Sequence, residues 1–147
     1  MRDVDRFAGR YEHSLDTKGR LVLPARLRTP FEGLGGYLAK GNEGCLALWP
    51  HERFEERLAQ LEARADDSDD PGDRAQVRVF ASAEHVVPDV QGRVTVAPYL
   101  QAYAGLDPAR VLVRGASKIV ELWNVERWEA LESLVDRNLL GVPAGAS

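Results

Sequence analysis

Asp16-Thr17-Lys18-Gly19-Arg20 is matched 73 residues later (89 minus 16) by Asp89-Val90-Gln91-Gly92-Arg93, the same Asp-x-x-Gly-Arg pattern. Each copy is flanked by stretches in which apolar residues fall at every second position. Each is followed by a Pro and a Leu, Pro24 and Leu27 in the first, Pro98 and Leu100 in the second. A single copy means little, because an Asp that bonds its own downstream backbone and a Gly that tolerates positive φ are ordinary turn chemistry. Two copies in matching surroundings point to a duplicated unit.

Working outward, the flanks read as short strands and helices. Tyr11 to Leu15 alternates as a half-buried strand does, and Leu21-Val22-Leu23 is the return strand of a hairpin, stopped by Pro24. Ala25 to Thr29 fits one helical turn. Tyr37 to Lys40 and Cys45 to Trp49 read as strands joined by the turn Gly41-Asn42-Glu43-Gly44. Pro50 opens a helix with Phe54, Leu58 and Leu61 on one face. Asp66 to Asp73 has the composition of a linker, and Arg74 to Ala83 that of a helix.

The second unit follows the same course. Glu84 to Val87 and Arg93 to Val96 flank its turn, and Pro98 to Ala104 is a helix capped by Gly105. Arg110 to Arg114 and Lys118 to Trp123 are strands about the turn Gly115-Ala116-Ser117. Asn124 caps a last helix carrying Val125, Trp128, Leu131 and Val135, and the tail after Leu140 is loose. Leu48-Trp49 echoes Leu122-Trp123 at an offset of 74, one residue more than the turns. Each unit reads β-β-α-β-β-α, with hairpins too short to be stable alone, so pairing two units buries the apolar face of each.

The chain has 147 residues, 44% hydrophobic and 29% charged, a composition that belongs to globular rather than disordered proteins. No apolar run reaches the ~20 residues a membrane span needs. The start, Met1 to Arg6, has no apolar signal core, and the single Cys45 rules out an internal disulfide, so a cytosolic protein is expected. The net charge of −4 is unevenly spread. Met1 to Arg28 holds seven bases and four acids, a net of +3, while His51 to Asp73 holds three bases and nine acids, a net of −6. Local sign governs partner choice more than the sum does.

Catalytic constellations are lacking. His13, Asp16, His85 and Asp89 have unequal spacings and no Cys beside them, so neither a metal nor another cofactor is expected. Ser14, Ser82 and Ser117 have no nucleophile-elbow context, and Cys45 sits in an apolar strand. Trp49, Trp123 and Trp128 lie among apolar neighbours, as core or subunit-contact residues do. Arg20 and Arg93 have two readings on the residues alone. One is a local pair with the Asp that holds the turn, and the other is a guanidinium offered to phosphate or a guanine edge.

The string Phe7-x-Gly9-x-Tyr11-x-His13-x-Leu15-Asp16-x-Lys18-Gly19-Arg20, with Pro24 and Arg28, resembles the start of the MraZ family. The resemblance continues through Ala83-Glu84, Asp89-x-Gln91-Gly92-Arg93, Pro98-x-Leu100, Ala104-Gly105-Leu106, Gly115 and Glu121-Leu122-Trp123, and covers the chain from Phe7 to about Trp128. It implies an α+β, mainly β fold: a duplicated swapped-hairpin, SpoVT/AbrB-like pseudo-dimer with flanking helices. The units would be 7–52 and 83–126, with a helical and acidic-loop connector at 53–82 and a C-terminal helix and tail at 127–147.

The resemblance also implies a non-enzymatic transcriptional regulator, in the simplest case a repressor, cytoplasmic and nucleoid-associated. It would assemble into a homo-oligomeric ring on direct repeats in the promoter of a cell-division and cell-wall operon that includes its own gene. Its partners would be double-stranded DNA and itself, with no membrane and no small-molecule ligand. The family's Asp-x-x-x-Arg motif maps onto Asp16 with Arg20 and Asp89 with Arg93, so Asp16, Gly19, Asp89 and Gly92 form the turns. The DNA-binding candidates are Arg20, Lys18, Arg93, Arg10, Arg26 and Arg28. Arg20 ranks above Arg93, because Arg10, Lys18, Arg26 and Arg28 are its neighbours in sequence. Two departures stand out: the additional residues Met1 to Arg6, and Ala97 where the first copy has Pro24. The alternative is an antitoxin-like interaction module that docks a partner on the acidic helix or the C-terminal helix.

Overall fold

Strands of three or four residues cannot hold one another in isolated hairpins, and here they pair across the two copies instead. The computed structural model describes residues 6–143. Its elements are β1 (Arg10–His13), β2 (Arg20–Val22), α1 (Ala25–Arg28), β3 (Gly36–Lys40), β4 (Leu46–Pro50) and α2 (His51–Asp66). There follow α3 (Pro71–Ala81), β5 (Glu84–Val86), β6 (Arg93–Thr95), α4 (Pro98–Ala104), β7 (Val111–Ala116), β8 (Ile119–Asn124) and α5 (Val125–Leu139). The order β-β-α-β-β-α thus occurs twice, with α3 between the copies, in an α+β fold whose core is antiparallel sheet. Met1 to Asp5 and the end of the expected tail lie outside the described residues.

The six-stranded sheet runs β1-β7-β8-β4-β3-β5, and β2 pairs with β6 in a separate ribbon. The order reads the same from either edge once copies are exchanged. β4 and β8 meet at the centre, β1 of the first copy borders β7 of the second, and β5 of the second borders β3 of the first. The hairpins expected about the two Asp-x-x-Gly-Arg turns are therefore corrected, while β3 with β4 and β7 with β8 pair as expected. The arms of each Asp-x-x-Gly-Arg turn leave for different sheets, because β1 pairs with β7 and β2 with β6. The reason is burial: Leu21 and Val94, opposite each other in the ribbon, both face the main core.

Register refines the duplication. His13 opposite Val111 matches Val86 opposite Gly36, so the offset is 73 at β1/β5 (86 minus 13) but 75 at β3/β7 (111 minus 36). Pro50 opposite Gly36 and Asn124 opposite Val111 give 74 at β4/β8 (124 minus 50). Two residues were gained before β7 and one lost in the turn after it.

The main core is built from equivalent residues of both copies, among them Leu23 with Val96, Leu27 with Leu100 and Leu48 with Leu122, all buried. Two satellite clusters lie under the long helices. Phe54 and Leu61 of α2 meet Phe80 of α3, with Trp49 edge-on to Phe80 at 5.3 Å. Trp123 and Trp128 meet edge-on at 5.3 Å beneath α5.

Two local expectations shift. Asp66 to Asp73 is half helix, since Asp66 ends α2 and Pro71 opens α3. The loop is only 67–70, since the Asp70 carboxylate accepts the Gly72 N–H at 2.9 Å and Pro71 takes the first helical position, where its missing N–H costs nothing. The turn expected at Gly115–Ser117 moves to Ser117 and Lys118, because β7 runs on through Ala116. Gly115 serves a close approach instead: a Cβ there would lie 2.2 Å from the Ala8 nitrogen. Ala97 proves a harmless substitute for Pro24. Both occupy the N-cap with nearly equal ψ, 143° and 139°, and Pro98 supplies the fixed φ one residue later. Gly105 and Asn124 cap as expected, the Asn124 side chain accepting the Arg127 N–H at 3.0 Å.

Candidate nucleic-acid interface

Each Asp-x-x-Gly-Arg segment closes on itself through its carboxylate. In the first, Gly19 N–H donates to the Asp16 carbonyl at 3.0 Å, and Asp16 N–H to the Arg20 carbonyl at 2.9 Å. Asp16 Oδ1 accepts the amides of Lys18 (2.9 Å) and Arg20 (2.8 Å), and Oδ2 accepts Arg20 Nε at 2.7 Å. In the second, Asp89 Oδ1 accepts the amides of Gln91 and Arg93, both at 2.9 Å, and Oδ2 accepts Arg93 Nε at 2.7 Å. Gly19 and Gly92 take φ of 75° and 77°, a region closed to most side chains. The two turns are the same object twice.

The carboxylate grips only the Nε edge of each guanidinium. Among the described residues, the Nη nitrogens of Arg20 and Arg93 donate to nothing, and the side chains remain 29% and 28% exposed. Both readings of the motif are thus compatible in one geometry: the Asp holds the turn and aims the Arg, and the outer face of the guanidinium is left for a ligand.

Hydrogen bonds from the Arg20 amide, ahead of its guanidinium, hold the Asp16 carboxyl below its ordinary 3.8 against an opposing effect of burial, and Arg93 does the same for Asp89. A depressed carboxyl contributes stability that is present above 3.8 and is lost as pH falls through the folded midpoint. Carbon-detected NMR titration should therefore find both midpoints below 3.8. A midpoint at or above that value for either Asp would contradict the geometry.

The turns are locked to each other across the copies. Leu23 N–H donates to the Gly92 carbonyl at 2.9 Å, and Val96 N–H to the Gly19 carbonyl at 2.8 Å. Arg28 Nη2 donates to the Leu23 carbonyl at 2.8 Å while its guanidinium covers Gly92, where a Cβ would come within 2.3 Å of Cζ. Gln101, the counterpart of Arg28, donates to the Val96 carbonyl at 2.8 Å and covers Gly19 in the same way. Gln101 was missed in the sequence, although the 73-residue offset that pairs the turns also pairs it with Arg28.

The other candidates separate. Lys18 is exposed at the tip of the first turn and Arg26 on α1. Arg10 lies in β1, ion-paired with Glu132 of α5 and 5.8 Å from the Trp128 ring centroid. Arg93 does not lack cationic company, since Arg28 rests on its turn. Of the sequence neighbours that set Arg20 above Arg93, Lys18 stays on Arg20's own turn, whereas Arg28 rests on the turn of Arg93 and Arg10 pairs with Glu132.

Elsewhere, Cys45 is buried, donates to the Asn42 carbonyl at 3.3 Å, and has its thiol pushed up to about 12, chiefly by burial. A thiolate nucleophile at neutral pH is thereby disfavoured. His85 Nε2 lies 2.9 Å from the Leu34 carbonyl.

The family model described as "MraZ protein, putative antitoxin-like" matches the chain twice, over residues 6–78 and 79–139. The chain belongs to the MraZ family. A Thermomicrobium roseum protein named "Transcriptional regulator MraZ" is 41% identical over 133 residues, which cover 88% of this chain and 89% of that protein. Proteins of the same name from Salinispora tropica and Kineococcus radiotolerans are each 43% identical, over 84% of this chain and 85% of theirs. The two MraZ matches meet between residues 78 and 79, within α3. Each carries one Asp–Arg turn.

Proposed function

We propose that this chain is a sequence-specific DNA-binding transcriptional regulator, most simply a repressor, and not an enzyme. The observation that carries this is the pair of identical turns on one ribbon, each with a carboxylate-anchored arginine whose Nη face is unpaired among the described residues. A guanidinium held in this way is pre-organised for phosphate or for the O6/N7 edge of guanine. Relatives named transcriptional regulators support the reading. In it, Arg20, Arg93, Lys18 and Arg26 meet DNA. Arg28 and Gln101 hold the turns, and Arg10 is ion-paired with Glu132. The architecture is taken as two SpoVT/AbrB-like, swapped-hairpin units at 7–52 and 83–126, and the protein as cytoplasmic and nucleoid-associated.

A single copy offers few cations, so affinity comes from several subunits of a ring engaging successive direct repeats upstream of the division and cell-wall operon, the chain's own gene included. Leu134, Leu139 and Leu140, exposed on and just after α5, supply apolar surface for self-association. The antitoxin-like alternative is weaker for the acidic helix α2, because its apolar face is already covered by Phe80. The test is binding to the chain's own upstream DNA. Affinity should fall steeply with salt, and should drop by at least an order of magnitude when repeats are deleted or respaced by half a helical turn. Indifference to repeat number would sink the multivalent picture.

A further inference from the structure

The β2–β6 ribbon has a two-fold backbone and a surface that breaks the symmetry. Leu21 opposite Val94 marks the pseudo-dyad and points into the core, which leaves Arg20 opposite Thr95 and Val22 opposite Arg93 on the outward face. The dyad carries Arg20 onto Arg93 unchanged, but it carries Thr95 onto Val22. The tips differ as well: Lys18 corresponds to Gln91, and Thr17 to the fully exposed Val90. One end of the ribbon is thus Lys18, Arg20 and Thr95, all polar. The other is Gln91, Arg93 and Val22, with Val90 at its tip.

We infer that this outward face reads base edges, and that Val22 and Thr95 give it a direction, so that one chain takes a non-palindromic element in one orientation. The inference rests on the DNA-binding reading above. A two-stranded ribbon fits the width of the major groove, where all four base pairs are distinguishable. Identical ends would read identical half-sites. With these ends, the two arginines take equivalent contacts, the Thr95 hydroxyl exchanges hydrogen bonds with a base edge beside Arg20, and Val22 offers only methyl groups beside Arg93. The partner that suits a methyl group in the major groove is the thymine 5-methyl. Val22 is 38% exposed, so an apolar side chain is kept at a β position facing solvent on the element that carries both arginines.

The test is selection from a pool of random DNA duplexes with the wild-type chain, Val22→Thr and Thr95→Val, followed by anisotropy titration of the enriched duplex and its single-position variants. Both substitutions exchange β-branched residues at exposed positions, and circular dichroism with a thermal midpoint confirms that each variant is folded. The wild type should enrich a non-palindromic element. Val22→Thr should lose roughly fivefold or more of the preference at one thymine-bearing position, and Thr95→Val should alter a different position. Enrichment of a palindrome by the wild type would overturn the inference. So would variants that keep every wild-type preference, while the DNA-binding reading would stand in both cases. If the wild type enriches no duplex, that reading falls and the inference with it.

Discussion

Replacing Arg20 by Ala is expected to weaken binding to the upstream DNA at least tenfold, ~1.4 kcal/mol or more. Its Nε is committed to Asp16, so the substitution removes one anchored ion pair and one free Nη face. The pair is exposed, and such pairs contribute little to stability, so the loss should appear in binding and not in folding. A bidentate arginine on guanine is worth about 1–3 kcal/mol, which sets the expected scale. Arg93→Ala should cost a similar amount, because its turn has the same hydrogen bonds at nearly the same lengths. Arg28→Ala should behave differently, lowering the thermal midpoint by uncovering Gly92 and losing the bond to Leu23. Unchanged DNA affinity for Arg20→Ala in an anisotropy titration would remove the turn from the interface.

Cutting the chain between Asp67 and Asp70 is expected to leave neither half folded as a monomer. The cut falls in the loop between α2 and α3 and severs no strand. Each half would nevertheless lose every partner of its ribbon strand, since β2 pairs with β6, and would lose the strand bordering β7 or β3. Leu21 and Val94, buried against each other's copy, would be exposed. Burying a side chain of this size contributes about 1.5–3 kcal/mol, and several such pairs are lost together, a large share of the ~5–15 kcal/mol that stabilises a domain. Mixing the halves should restore a cooperative thermal transition. A half that unfolds cooperatively as a monomer, by calorimetry with sedimentation, would contradict the exchanged pairing.

What the sequence made legible was local chemistry. The doubled turn, the Gly105 and Asn124 caps and the periodic faces of α2 and α5 each depend on residues within a turn or two of one another. Strand partners were not legible, because a strand such as Arg20-Leu21-Val22 carries the same alternation whether it pairs with its neighbour or with β6. The start of α3 was obscured by Asp-Asp-Pro-Gly, a run that suits a loop and a capped helix equally. Counting charges along the chain misplaced two arginines for the same non-local reason: Arg28 folds onto the other copy's glycine, and Arg10 onto Glu132. The offset of 73, applied to every residue rather than to the motif alone, would have paired Arg28 with Gln101.

The most direct test of the paired-turn interface is protection of the DNA upstream of the chain's own gene, mapped with the wild type, Arg20→Ala and Arg93→Ala. Protection of a run of repeats by the wild type, and its loss at the same protein concentration for both variants, is the predicted result. Wild-type protection for both variants would contradict the claim that these two arginines meet DNA.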